Sequence, residues 1–277
     1  MLKLTTWNVN GVRAREQEVL GWIERERPDV LCLQEVKAAP EQVPSALCSI
    51  AGYHCYWHGQ KGYSGVALHL SQSSFPRPPR YAHPAFDHES RIVTAQVGDV
   101  LFASVYVPNG GKDFAAKVRF LDELGEWTER AERDGLALVV SGDLNVAREP
   151  RDVHPTLQKL EQIGQTPAER GQLERIIGHG LVDLSRKFFP DDERLFSWWA
   201  PWRNMRERNI GWRLDYVLAN RRLAEHATSC VVDRAFGTSD HGPVTAIFEM
   251  PPPVAGEDEE PEAPPKIAGP RQQSLFS

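Results

Sequence analysis

In the segment Leu136 to Asn145 an apolar run, Leu136 to Val140, ends in Ser141-Gly142 and then Asp143-Leu144-Asn145. A buried strand that ends this way delivers a carboxylate and an amide, two residues apart, toward one pocket. The arrangement recurs. Val30 to Leu33 runs apolar and ends in Gln34-Glu35, and Ser239-Asp240-His241 precedes the strand-like Val244 to Phe248. Carboxylates and a histidine collected at one end of a sheet would suit metal-assisted hydrolysis of a phosphodiester. A hard cation such as Mg²⁺ takes only one or two protein carboxylates and keeps its waters.

Other segments add polar groups, each with an ordinary alternative. Asn8 and Asn10 in Trp7-Asn8-Val9-Asn10-Gly11 could orient a metal-bound ligand or bind phosphate, or could cap an Asx-turn. Tyr106, before Pro108-Asn109-Gly110-Gly111, could donate to a phosphate or be a half-buried strand tyrosine. Asp215 opens a strand in Trp212-Arg213-Leu214-Asp215-Tyr216, where an ion pair with a nearby arginine is the plain alternative. Asp240-His241 pairs a carboxylate with a titratable ring, which suits acid–base work. His54, Cys55 and His58 lack the second pair that a zinc finger requires, so zinc is disfavoured.

These groups need a scaffold. Strand-like segments run over 2–7, 30–34, 65–70, 92–97, 100–107, 136–141, 214–219, 229–232 and 244–248, and helical patterns over 15–27, 114–133 and 167–177. The first helix stops at Pro28. The third starts with Thr166 as cap and Pro167 at its first position. So many strands close together predict a mixed pair of sheets with helices outside rather than a plain Rossmann sheet.

The 277 residues are 41% hydrophobic and 25% charged, an ordinary globular balance, and no stretch reaches the roughly 20 apolar residues of a membrane span. Met1 leads straight into a strand pattern, which predicts no signal peptide, and the four cysteines show no Cys-x-x-Cys spacing. Reduced thiols in a cytoplasmic protein are expected. The net charge of −6 argues against a uniformly basic surface. Half of it lies in residues 251–277, however, and Trp202 to Arg213 holds four arginines against one glutamate, so a local basic face remains open.

Taken together, the chain resembles the exonuclease III class of abasic-site endonucleases, within the endonuclease/exonuclease/phosphatase superfamily. The resemblance rests on Trp7 to Ala14, Leu33 to Lys37, Lys61 to Ala67, Tyr106 to Asn109, Gly142 to Ala147, Asn209 to Tyr216 and Ser239 to His241, in that order. It covers residues 1 to about 250. It implies a four-layer α/β sandwich, two packed mixed β-sheets flanked by helices, acting as a monomer with Mg²⁺, or Mn²⁺ as a substitute. The implied activity is cutting of duplex DNA 5′ to abasic sites, with 3′→5′ exonuclease action and cleaning of blocked 3′ ends. The metal set it implies is Asn8, Asn10, Glu35, Asp143, Asn145, Asp240 and His241. Glu35 is its main ligand, and Asp240 lies near a second metal or in the ligand shell. Tyr106, Asn145 and His241 would hold the scissile phosphate. Asp143 would serve the attacking water or the leaving oxygen, Asp215 would fix His241, and Asn109 would position Asp143 or phosphate. Trp198 and Trp212 match the family's pocket walls, although Trp198 and Trp199 could also be core. Arg203, Arg206 and Arg208 would contact backbone phosphates or form a solvated charged face. Arg148 to Gln165 departs from the family pattern, which leaves the balance of activities open. The alternatives are an enzyme that mainly processes 3′ ends, and a DNA-binding scaffold without catalysis. A lipid phosphodiesterase is disfavoured by the tryptophans and the arginine cluster.

Residues 251–277 hold seven of the 21 prolines and an acidic run, which predicts a disordered tail. It ends Gln272-Gln273-Ser274-Leu275-Phe276-Ser277. Gln272, Ser274, Leu275 and Phe276 resemble the motif by which bacterial repair and replication proteins bind the sliding clamp, an extended peptide with apolar anchors.

Overall fold

The computed structural model describes residues 1–254, so the expected tail beyond 254, with the clamp-motif residues, lies outside the described residues. The strands are β1 (Leu2–Asn8), β2 (Val30–Gln34), β3 (Tyr53–Gln60), β4 (Tyr63–Ser71), β5 (Arg80–Ala82), β6 (Ile92–Val97), β7 (Val100–Tyr106), β8 (Ala137–Asp143), β9 (Leu181–Asp183), β10 (Asp215–Asn220), β11 (Ala227–Val232) and β12 (Val244–Phe248). They form two six-stranded mixed sheets, ordered β11-β12-β1-β2-β4-β3 and β5-β6-β7-β8-β10-β9.

The central strands are buried on both faces, which is why their sequences run apolar without alternation. Leu4, Val30, Leu68, Phe102, Val139, Val217, Val244 and Phe248 meet between the sheets. The other face of the second sheet, with Val105, Leu138, Val140 and Leu218, is covered by Phe120, Leu121 and Leu124 of the helix Phe114–Arg133 and by Leu173 and Ile176 of the helix Pro167–Gly178. The helix Glu16–Glu26 covers the first sheet, packing Val19, Trp22 and Ile23 on Trp7, Leu31 and Leu33. Each such side chain contributes about 1.5–3 kcal/mol when fully buried, so the layering follows from where the apolar faces must go. The result is the four-layer sandwich expected.

Helix ends follow local chemistry. Thr166 accepts from the Glu169 N–H in a capping box with Pro167 at the first position, and Asp113 caps the helix at Phe114 by accepting from the Ala116 N–H. Three strands were not anticipated. In β3 the sequence Tyr53-His54-Cys55-Tyr56-Trp57-His58 mixes polar rings into a half-buried edge and shows no clean alternation. The other two, β5 and β9, are three residues each, too short for a period.

The register sets up the site. β1 and β2 are parallel and pair Asn8 with Gln34, next to Glu35. β7 and β8 are parallel and pair Tyr106 with Asp143, and antiparallel β10 pairs Asp215 with Asp143. Tyr106, Asp143 and Asp215 thus stand in one row across the second sheet, at the edge where β1 and β2 of the first sheet also end.

Candidate active site

Gly142 lets this edge form. A Cβ on it would lie 1.9 Å from the Val105 carbonyl oxygen, and its φ is +145°. Any other residue would push β8 off β7 and displace Asp143. Glu35 and Asn145 adopt φ of 50° and 51°, left-handed values that cost of order 1 kcal/mol or more and concentrate at functional sites.

Glu35, Asp143 and His241 converge, with one donor atom of each inside 4.8 Å of the others. His241 Nε2 stands 3.8 Å from Asp143 Oδ2. On the opposite side His241 Nδ1 meets Asp215 Oδ2 at 2.8 Å, and Ser197 Oγ donates to the same oxygen at 2.6 Å. Asp215 therefore pairs with the histidine and not with an arginine. Tyr106 donates to Glu35 Oε1 at 2.9 Å. The Asn145 amide donates to Asp143 Oδ2 at 3.2 Å and to the Val107 carbonyl at 2.9 Å.

The amides of the first block face differently from the ligand roles expected for them. Asn8 turns its NH₂ toward Glu35 Oε1 (3.0 Å) and Asp143 Oδ2 (2.9 Å), while its oxygen accepts the Asn10 N–H. Asn10 donates to Asp240 Oδ1 at 2.8 Å and accepts from Lys37 Nζ at 2.6 Å. The same ammonium lies 2.6 Å from Glu35 Oε2. Asn8 is thus a donor that holds two carboxylates, and Asn10 reaches Glu35 only through Lys37. Asp240 stays outside the three-residue cluster, its other oxygen taking the Trp198 indole N–H at 3.0 Å. Asn109 does not reach Asp143. Its oxygen caps the Gly111 N–H at the cleft mouth.

Charge burial sets the proton affinities. Burial raises Asp143, and Asp215 and Glu35 raise it further against the pull of His241, to about 7. Burial alone would lower His241, but Asp215 and then Asp143 outweigh it and push the imidazole up to about 10. Burial also works against the Glu35 carboxylate, yet Lys37 and Asn8 bring its pKa below the usual value. Burial and the Glu35 charge keep the Tyr106 phenol protonated, well above its ordinary value. The site therefore holds an imidazolium beside a carboxyl that can take or release a proton near neutrality.

Above this floor opens a cleft of about 450 Å³, lined by Glu35, Tyr106, Asp143, Asn145 and His241 and by Gln162, Ile163, Gly164, Trp198, Trp212 and Leu214. The Trp198 and Trp212 rings stand nearly perpendicular, 5.9 Å apart. Trp199 is core, as its neighbour Trp198 is not. A Cβ on Gly164 would lie 2.9 Å from the Trp212 ring, so glycine there lets the 162–164 segment close on the wall. Arg203 and Arg208 are exposed at the adjacent surface. Arg206 is not a free phosphate contact. Its guanidinium donates to the carbonyls of Arg234 (2.7 Å), Phe236 (2.7 Å) and Ser239 (2.5 Å), clamping the loop that carries Asp240 and His241.

Several supports were not anticipated. Lys117 and Glu169 form a fully buried ion pair at 2.5 Å. Lys117 Nζ donates to the Asn145 carbonyl at 2.7 Å, and Glu169 accepts the Gly164 N–H at 2.8 Å. Beneath Trp212, Arg213 is wholly buried between Asp152 (2.9 Å) and Asp183 (2.8 Å). Arg91 lies over the Tyr106 ring at 5.0 Å. Lys117 left one trace in the sequence: it stands on the apolar stripe with Leu121 and Leu124.

Comparison with known proteins agrees with this geometry. The Endonuclease/Exonuclease/phosphatase family matches residues 5–241. The DNA repair nuclease APEX1 of Danio rerio is 35% identical over 261 residues, covering 90% of this chain and 83% of that protein. The Exodeoxyribonuclease of Bacillus subtilis is 32% identical over 259 residues, 90% of this chain and all of that protein. The chain spans 37% of the Recombination repair protein 1 of Drosophila melanogaster, with 33% identity. The solved structure of an AP endonuclease from Archaeoglobus fulgidus superposes with a TM-score of 0.81 at 31% identity, covering 90% of this chain and all of that one. The chain belongs to the endonuclease/exonuclease/phosphatase family. Within it, the chain falls in the exonuclease III and AP endonuclease branch, as a hydrolytic nuclease.

Proposed function

We propose that the protein is a Mg²⁺-dependent DNA-repair phosphodiesterase that cuts duplex DNA 5′ to abasic sites and trims normal or blocked 3′ ends. The observation that carries this reading is the Glu35–Asp143–His241–Asp215 constellation on the floor of a tryptophan-walled cleft. The donors fit a small cation. Two carboxylates face one point, and the Lys37 ammonium already bridges Glu35 Oε2 and Asn10 Oδ1. Glu35 would be the main Mg²⁺ ligand with Asp143 beside it, and the bound ion would offset the negative charge that builds on the phosphoryl oxygens. Mn²⁺ shares the preference for oxygen donors and would substitute.

The protein's own groups do the rest. His241, held as imidazolium by Asp215, donates from Nε2 to a phosphoryl oxygen. Asn145 and Tyr106 border the same space and would add donors once substrate and cation displace their bonds to Asp143 and Glu35. Asp143, near neutrality in its proton affinity, holds the attacking water and accepts its proton. Removing one such donor typically costs roughly 2.7–4 kcal/mol of transition-state stabilisation. Asn8 keeps Glu35 and Asp143 apart and oriented. Selection lies in the wall. A sugar without a base leaves the helix at little unstacking cost, and a cleft of about 450 Å³ with Trp198 and Trp212 packed side by side in its wall would accept it where a full nucleotide crowds. Arg203 and Arg208 would contact phosphates and position the duplex without reading sequence.

The test is a duplex oligonucleotide carrying one abasic analogue, incubated with the full chain in Mg²⁺ or EDTA. The expected product is a single nick 5′ to the analogue, absent in EDTA. No nick in Mg²⁺, or equal nicking in EDTA, overturns the reading.

For the tail we infer a tethering role. The run Gln272, Ser274, Leu275 and Phe276 after a proline-rich, acidic linker supports docking on a bacterial sliding clamp. Deleting 272–277 is expected to leave cutting of a short oligonucleotide unchanged and to abolish clamp binding by calorimetry. An intact chain that does not bind the clamp removes this role.

A further inference from the structure

A second group of metal-competent side chains lies where the open edges of the two sheets face each other. His58 belongs to β3, the edge of the first sheet, and His83 and Asp87 follow β5, the edge of the second. One donor atom of each lies within 4.8 Å of the others, and none of the three residues lines the catalytic cleft. Asp87 Oδ2 is 2.5 Å from His58 Nε2 and 3.8 Å from His83 Nδ1. The two imidazoles lie 3.8 Å apart between centroids. The Asp87 side chain is 1% exposed, and its other oxygen accepts the Arg91 N–H at 2.7 Å, which fixes the carboxylate toward the histidines. Tyr56 Oη is 2.7 Å from His83 Nε2, the kind of partner that orients a ligating ring through its second nitrogen.

Two imidazoles and one carboxylate are the donors of a borderline cation, not of Mg²⁺, which prefers oxygen. Tetrahedral zinc with bonds of about 2.0–2.2 Å holds its ligand atoms roughly 3.3 Å apart. The His58–Asp87 contact would open by under 1 Å, the His83–Asp87 contact would close by about half that, and the two rings, 3.8 Å apart and 32° from parallel, would splay to aim one nitrogen each at the ion. His83 would give up its Nδ1–H bond to the Ile92 carbonyl, 3.1 Å, to free Nδ1 for the metal, and its proton would move to Nε2 and be donated to Tyr56.

We propose that His58, His83 and Asp87 form a zinc-class site, distinct from the catalytic cluster, with its fourth position open to water. Such an ion staples the edge of one sheet to the edge of the other. It also anchors the segment leading to Arg91, whose guanidinium lies over Tyr106. The two metal sites then divide by chemistry: an oxygen-rich one in the cleft for Mg²⁺ and a nitrogen-rich one at the sheet edges for zinc.

The test is calorimetric titration of Zn²⁺ into the full chain carrying Glu35→Gln, with excess Mg²⁺ present to compete at the cleft. Co²⁺ absorption is the second readout. One Zn²⁺ per chain is expected, with a rise in Tm. His83→Ala and His58→Ala, each added to the Glu35→Gln background, are expected to weaken binding at least tenfold and to abolish both the Tm rise and the visible Co²⁺ bands. His83 is exposed, so its variant is expected to fold, and the metal-free Tm checks this. No Zn²⁺ bound by the Glu35→Gln protein, or equal affinity in both folded histidine variants, overturns the proposal.

Discussion

Asp215→Asn isolates the carboxylate that makes His241 a cation. Asp215 Oδ2 accepts His241 Nδ1–H at 2.8 Å and the Ser197 hydroxyl at 2.6 Å, wholly out of water. His241 is raised from 6.5 to about 10 against the effect of burial, with Asp215 the largest favourable influence and Asp143 next. A rise of that size corresponds to about 5 kcal/mol of preference for the imidazolium. If Asp215 supplies about half, its loss lowers the histidine by roughly two pH units. In the proposed mechanism His241 acts protonated, so the alkaline limb of the pH–rate profile is expected to move from near 10 to near 8. Asp215 also raises Asp143, which must be deprotonated to accept a proton. The acidic limb, near 7 without a cation and lower with one, is therefore expected to move down too. Cutting at pH 9 should fall about tenfold more than cutting at pH 7. The assay is single-turnover cleavage of an abasic duplex from pH 6 to 10.5, with the His241 ring resonances followed in parallel. A folded Asp215→Asn protein whose two limbs and histidine titration are unchanged would refute the electrostatic role.

Trp212→Ala is expected to lower abasic cutting more than removal of a normal 3′ nucleotide, measured on paired substrates; equal losses would make Trp212 a packing residue alone. Arg203→Ala is expected to flatten the slope of log K against log salt for duplex binding by up to roughly one unit. Arg206→Ala is expected to leave that slope unchanged and to cost about 2 kcal/mol of stability, because its donors are spent on three loop carbonyls, two of them part-buried. Reversal of these two outcomes in salt titrations and thermal melts would exchange their roles. Lys117→Met leaves Glu169 buried without its partner and is expected to cost about 3–5 kcal/mol by denaturant melt. Adding Glu169→Gln should restore much of the stability but not the activity, since the Asn145 carbonyl still lacks the Lys117 ammonium. Full recovery of cutting in the double variant would make the pair purely structural.

The chemistry-bearing strand ends were legible because each pairs a continuous apolar run with an abrupt polar exit. The bounds read for β2, β6 and β12 coincide with those found, and Glu35, Asp143, Asp215 and His241 do meet. What the sequence could not carry is which atom of a side chain faces the site. Asn8 and Asn10 stand in place, yet their orientation is set by a main-chain N–H, by Lys37 and by Asp240, residues as far as 230 positions away. Arg206 reads like Arg203 and Arg208, because a charge in sequence does not reveal that neighbouring carbonyls take it out of water. Lys117 and Glu169, on different helices, become a pair only once both helices pack on the second sheet. The histidines on β3 and after β5 look unrelated for the same reason, since only the packing of the sheets brings their edges together.

The reaction reading rests most directly on Asp143 and His241, so the decisive measurement is single-turnover cleavage of an abasic duplex by Asp143→Asn and His241→Asn in saturating Mg²⁺, with DNA affinity measured alongside. Each variant is expected to lose at least about 10²-fold in rate while binding persists, because both groups act on the transition state. Near-native turnover in either folded variant would contradict its place in the mechanism, and near-native turnover in both would contradict the catalytic reading of the cleft.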